Sequence, residues 1–135
     1  MSEQTQGAGR IRLDTAGRIV VGTDGSERAR KAVDWAADRA LARGLPLLIV
    51  MVIPGPQIGR TFTAVTDEYQ TQFKRRCQQR LNAELERLRA AHPTLDVKAE
   101  LVEGYASYVL AQASKNAAQV VVGARGRRAP ISVKL

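Results

Sequence analysis

The sequence predicts an α/β fold: an open parallel sheet with helices on both faces. Three observations carry that expectation. Short apolar runs alternate with segments of helical periodicity in the order β-α-β-α-β-α-β. Two of the runs, 18–23 and 47–53, are almost wholly apolar, as strands covered on both faces are. Finally, glycine-bearing turns close the first and the last run, and open α/β sheets bind ligands beyond the carboxyl ends of their strands, where the strand order reverses. Crossovers of right-handed sense leave few arrangements of these elements.

Residues 1–17 are rich in Gln, Gly, Thr and Ser without sustained periodicity and read as a flexible arm, any order centred on Ile11 and Leu13. The run 18–23 is the first strand. Ser26 then stands as an N-cap, and Ala29, Val33, Ala36, Ala37, Ala40 and Leu41 fall at helical spacing through about Arg43. Gly44 suits a helix C-cap, and Pro46 prevents continuation. The second strand, 47–53, is followed by a Pro/Gly-bearing connection over 54–66. A long helix is expected from about 67 to 91, with Tyr69, Phe73, Cys77, Leu81, Leu85 and Leu88 as its apolar stripe and His92-Pro93 as its end. The alternation of Leu95, Val97, Ala99 and Leu101 predicts a half-buried strand near a sheet edge. Gly104 turns the chain into a helix over 106–117, with Val109, Leu110 and Ala113 inward, and 119–123 is the fourth strand. Beyond Gly126 the sequence is basic, then mixed.

A chain of 135 residues suffices for one domain, and 44% hydrophobic with 25% charged residues is an ordinary globular balance. The longest apolar stretch, 45–53, falls far short of the roughly 20 residues of a membrane span. A single cysteine, Cys77, forms no intramolecular disulfide, and the polar N-terminus has no apolar signal core, so a cytoplasmic protein is expected. The 21 Lys+Arg exceed the 13 Asp+Glu, for a net charge of +8. That is compatible with nucleic acid, an acidic membrane surface or a small polyanion. With only 4% aromatic residues there are few rings to stack on bases, and the cations stand beside Asp and Glu as on a solvated helix face. Nucleic acid is therefore not an expected partner, and nor is a membrane.

Candidate chemistry gathers in the two turns. Gly123 and Gly126 lack the Cβ that would keep a backbone from a ligand, and Arg125, Arg127 and Arg128 offer forked donors suited to phosphate. On spacing alone, glycines that merely turn the chain explain them better. In the first turn, Asp24 is equally an acceptor for a ribose or an adenine amino group and an Asx-turn or capping residue beside Ser26. Neither the Walker loop nor the dinucleotide fingerprint is present. His92 lies at a helix end, Cys77 on an apolar stripe, and no acid/base pair, catalytic triad or metal-ligand pair stands out.

The combination resembles the universal stress protein family. Arg18-Ile-Val-Val-Gly-Thr-Asp-Gly-Ser-Glu and its alanine-rich helix match the family's opening, and Met51-Val52-Ile53 its adenine-contacting strand end. Val102-Glu-Gly-Tyr, and then Val120-Val-Val-Gly-Ala-Arg-Gly-Arg-Arg, resemble the segments before and at the start of the nucleotide motif glycine-x2-glycine-x9-glycine-Ser/Thr. The resemblance covers residues 18–135 and implies a Rossmann-like, adenine nucleotide alpha-hydrolase-like sheet of order 3-2-1-4. It also implies a stress-response regulator that binds ATP, with or without Mg²⁺, and hydrolyses it slowly at most. Gly22 and Thr23 would approach the nucleotide, Asp24 the adenosine, Val52 the adenine through its backbone, and Gly123, Arg125, Gly126 and Arg127 the phosphates.

The sequence departs from the family after Gly126: it stops where the motif's last glycine and hydroxyl residue should begin, and the fifth strand is expected to be absent. That leaves three readings: part of a longer or tandem chain, an edge supplied by another chain, or a short variant without nucleotide binding. An unpaired fourth strand predicts a homodimer or higher oligomer through that edge. The missing half-motif keeps an alternative function open, a non-nucleotide-binding dimerisation or interaction module.

Overall fold

The structure, a computed structural model, describes residues 13–54, 64–123 and 131–134. Its sheet has the order β3-β2-β1-β4-β5. At the centre, β1 (Ile19–Thr23) pairs in parallel with β2 (Leu47–Ile53) on one side and β4 (Gln119–Val122) on the other. Outside β2 lies β3 (Val97–Glu103), also parallel. The chain thus steps outward from β1 through β2 to β3, then returns to place β4 on the far side of β1. The order reverses between β1 and β4. These four strands stand in the order expected, with β3 at the edge.

Strand alternation divides the core in two. Ile19, Val21, Leu47, Ile49 and Met51 face α1 (Glu27–Arg43) and α2 (Ala64–Ala91), where Ala32, Val33, Ala36, Ala37, Ala40, Leu81 and Leu88 are buried. Val20, Leu48, Val50 and Val120 face the other way, onto Val109 and Ala113 of α3 (Ala106–Ala113) and Ala117 beyond it. Helices therefore cover both faces. Each fully buried Val, Leu or Ile contributes roughly 1.5–3 kcal/mol relative to exposure. The alanine face of α1 lets that helix sit close to the strands.

The ends of α1 follow from its flanking residues. Ser26 is extended (φ −83°, ψ 165°), and its hydroxyl accepts from the Ala29 N–H at 3.1 Å. Gly44 takes the left-handed conformation (φ 66°), its N–H bonded to the Leu41 carbonyl while that of Leu45 reaches Ala40. Between the two long helices, Arg87 holds Glu84 through Nε (3.1 Å) and Nη2 (2.6 Å), and Nη1 reaches Asp34 of α1 at 2.9 Å. Hydrogen bonding to Glu84, and then to Asp34, raises the Arg87 pKa further above its ordinary value, against the opposing effect of burial. A cationic α2 residue thus bridges to a carboxylate on α1.

Several expectations shift. α2 begins at Ala64, three residues earlier than expected, and α3 ends at Ala113, four earlier, where the Ser114 hydroxyl donates to the Ala111 carbonyl at 2.7 Å. Tyr69, placed on the apolar stripe, is 64% exposed. A spacing of four overshoots the helical turn by about 40°, so Tyr69, three such steps from Leu81, points about 120° away from it. Phe73, Cys77 and Leu85, at intermediate angles, are partly buried, and Leu81 and Leu88 fully so. Within the expected arm, residues 1–12 lie outside the described residues, while Leu13 packs on the α3 side of the core and Thr15 is buried.

The largest correction concerns the fifth strand. Its expected absence is overturned: β5 (Ile131–Lys134) pairs antiparallel with β4, Val122 opposite Ile131 and Gln119 opposite Lys134. Positions 123–130 are too few for the dozen or more residues of a parallel crossover, so a returning strand pairs antiparallel. β4 consequently has neighbours on both sides, which removes the unpaired edge from which oligomerisation was argued.

Candidate functional site

A cleft of about 340 Å³ opens at the carboxyl ends of β1, β2 and β4, where the strand order reverses. Its apolar wall comes from Val50, Val52, Leu110 and Val122. Leu110 lies against the backbone of Gly22, and its two methyls would stand 3.6 and 3.7 Å from a Cβ placed there. Polar groups also line the cleft: Thr23, Asp24, Ser26 and the second residue of α1, Arg28. Gly123 closes the cleft from β4, next to Ala32. The first glycine-bearing turn of the sequence and Gly123, where the second begins, thus meet in one crevice.

The turn from β1 to α1 is held by its own side chains. The Gly25 N–H donates to Thr23 Oγ1 at 3.1 Å, and the Ser26 N–H to Asp24 Oδ1 at 2.9 Å. Gly25 has φ +84°, a conformation that side chains disfavour. Hydrogen bonds from Ser26, side chain first and backbone second, hold the Asp24 carboxyl below its ordinary value of 3.8. Partial burial opposes this, and Arg28 adds a small lowering. The residue therefore carries a carboxylate at neutral pH. The Asx-turn role of Asp24 is present, but a carboxylate offers about four acceptor positions, so the turn does not exhaust it.

Of the residues expected at the site, Gly22, Thr23, Asp24, Val52 and Gly123 all line the cleft. Arg125, Gly126 and Arg127 lie outside the described residues. The sequence reading missed Arg28, Ala29, Val50, Ala106, Leu110 and Val122 as lining residues. Val50 was recoverable: it shares a strand face with Val52 two residues on. Leu110 was placed inward, but nothing local says that it reaches Gly22, eighty-eight positions earlier in the chain. Among the described residues, no group of three or more His, Cys, Asp or Glu could hold a metal ion, and no helix is long and apolar enough to cross a membrane.

Comparison with known proteins agrees with this fold. The model of the Universal stress protein family matches residues 15–135. Universal stress protein Rv2624c of Mycobacterium tuberculosis is 30% identical over 112 residues, 80% of this chain and 37% of its own length. Universal stress protein Rv3134c of the same organism is 31% identical over 123 residues, 87% of this chain and 43% of its own. The chain spans less than half the length of either relative. Among solved structures, a universal stress protein family member from Burkholderia pseudomallei aligns with a TM-score of 0.59 at 21% identity, over 84% of this chain and 85% of that one. A universal stress protein from Archaeoglobus fulgidus aligns with 0.57 at 25%, over 82% and 78%. A complex of the Archaeoglobus fulgidus protein with dAMP gives 0.54 at 24%, over 78% of each chain, and shows the shared fold.

Proposed function

The chain belongs to the universal stress protein family, and on that premise we propose that it is a stress-response regulator binding an adenine nucleotide, ATP foremost, in the cleft between β1 and β4. The single observation that carries this reading is the convergence of Gly22, Asp24, Val52 and Gly123 on one crevice at the order reversal. The apolar wall suits the faces of a purine, and the Val52 backbone would read its edge. Asp24, an ionised acceptor on a rigid turn, would take a ribose hydroxyl or the adenine amino group. Phosphates would run toward Gly123 and the sequence after it, with Gly126, Arg125 and Arg127 as their donors. The adenine nucleotide of the Archaeoglobus fulgidus complex makes this ligand class the first to test.

ATP acts in this reading as a ligand whose occupancy is the signal, with slow hydrolysis at most. Mg²⁺, when it accompanies the phosphates, would be held mainly by their oxygens and would neutralise their charge. The expected cytoplasmic setting belongs to the same reading, while the expected homodimer no longer has the β4 edge behind it, because β5 covers that edge. Calorimetry of the chain with ATP, with and without Mg²⁺, tests the proposal: saturable binding at millimolar nucleotide or below is expected. Heats indistinguishable from dilution would overturn it and leave the interaction module as the function.

A further inference from the structure

A second cleft, of about 190 Å³, lies behind the turn at 23–26, on the α1–α2 face of the sheet. It shares Thr23 and Ser26 with the first cleft, but its wall is cationic: Arg30 of α1 with Arg80 and Arg87 of α2, against Glu84. These arginines are not equally engaged. Arg87 is taken up by its bonds to Glu84 and Asp34. Arg30 holds Nε 3.8 Å from Glu84 Oε1, an ion pair too long for a hydrogen bond. Arg80 has no hydrogen-bond or ion-pair partner among the described residues. Its side chain lies over Gly25, with Cδ 3.4 Å and Nη1 3.8 Å from where a Cβ would stand.

Two guanidinium groups with donors to spare therefore line one small cleft at a turn that presents bare backbone. Three arginines against Glu84 and Asp34 leave that cluster one positive charge in excess. An anion with several acceptor oxygens would relieve the repulsion and use the forked donors. We propose that this second cleft binds a phosphate-sized oxyanion between Arg30 and Arg80. The oxyanion is either inorganic phosphate or a phosphate group of a ligand other than the nucleotide of the first cleft, whose phosphates would run the other way, toward Gly123.

The test is a titration of the whole chain with inorganic phosphate, followed by NMR at the Gly25 and Ser26 amides and the Nε–H groups of Arg30 and Arg80. Saturable shifts at millimolar phosphate are expected. Because Arg80 has no hydrogen-bond or ion-pair partner among the described residues, Arg80→Gln should leave thermal melting unchanged and weaken phosphate about tenfold or more. Arg76→Gln, which removes an exposed cation of the same helix outside the cleft, should leave phosphate affinity within twofold. Absence of saturation, or equal losses in the two variants, would overturn the proposal, the latter by showing only diffuse attraction to a chain of charge +8. Competition separates the sources. Displacement of phosphate by ATP but not by adenosine supports the phosphate group of a second nucleotide molecule as the occupant, and no displacement by either supports free phosphate. Displacement by adenosine would merge the two clefts and overturn a distinct site.

Discussion

At the scale of single residues, Asp24 carries two roles with separate measurements. Through Oδ1 it anchors the turn by accepting the Ser26 N–H, and as a carboxylate in the first cleft it is the proposed acceptor for the sugar or base. Asp24→Ala should lower stability by about 1 kcal/mol through loss of that turn bond. It should also weaken ATP about tenfold, the effect of losing a hydrogen bond to a charged group. Unchanged ATP affinity beside a lowered melting temperature would remove Asp24 from the ligand's contacts. The pH dependence has a definite sign. A carboxyl whose folded value lies below 3.8 contributes its full stabilisation above that pH and loses it as pH falls through the folded value. The gap in melting temperature between wild type and Asp24→Ala should therefore be constant above about pH 5 and narrow in acid. The turn role and the proposed ligand role were equally legible in the sequence because an aspartate suits both; the structure shows the turn bond. Leu110 was not readable as a site residue because lining the cleft depends on tertiary position, whereas Val50 could have been found from Val52, two residues on along the same strand face.

Among the elements, the α1–α2 contact combines packing with charge. Leu81 and Leu88 supply the buried surface, and Glu84, between them in sequence, presents a carboxylate to Arg87 with its side chain only 13% exposed. Asp34 completes the link from α1 but is 48% exposed, where water screens it. Glu84→Gln keeps the shape while removing the charge that faces Arg87 and Arg30. It should cost about 1–2 kcal/mol, the mostly buried position standing between a surface pair and a fully buried one. Asp34→Asn should cost less than half as much. Urea unfolding of both variants checks the order, and equal costs would show that exposure does not govern this network. The stripe on α2 was readable from spacing, and the angular drift of a four-residue repeat explains why its first member, Tyr69, faces solvent. The Glu84–Arg87–Asp34 link was not readable, because it depends on how α1 and α2 are set against each other.

For the molecule as a whole, the four parallel strands and their helices follow from apolar runs and helical periodicity, which are local signals. The fifth strand escaped because Ile131–Lys134 is short and follows Pro130, so its place comes from what it covers rather than from its own propensity. Strand β4 carries the deeply buried Val120 and Val121, and β5 meets the ladder groups on its outer side. This division predicts an unusual response to shortening the chain after residue 130. Each lost backbone hydrogen bond is worth about 0.5–1.5 kcal/mol, while fixing each strand residue costs about 1–2 kcal/mol, so the two nearly cancel over four residues. Thermal melting at low concentration should therefore fall only slightly. Association should change much more, because the shortened chain bares an apolar strand edge ready to pair with another copy. Light scattering across micromolar concentrations should show a steeper rise in mass for the shortened chain than for the full one. Superimposable curves would mean that β5 does not guard the β4 edge. A large loss of melting temperature without association would instead make β5 a part of the core.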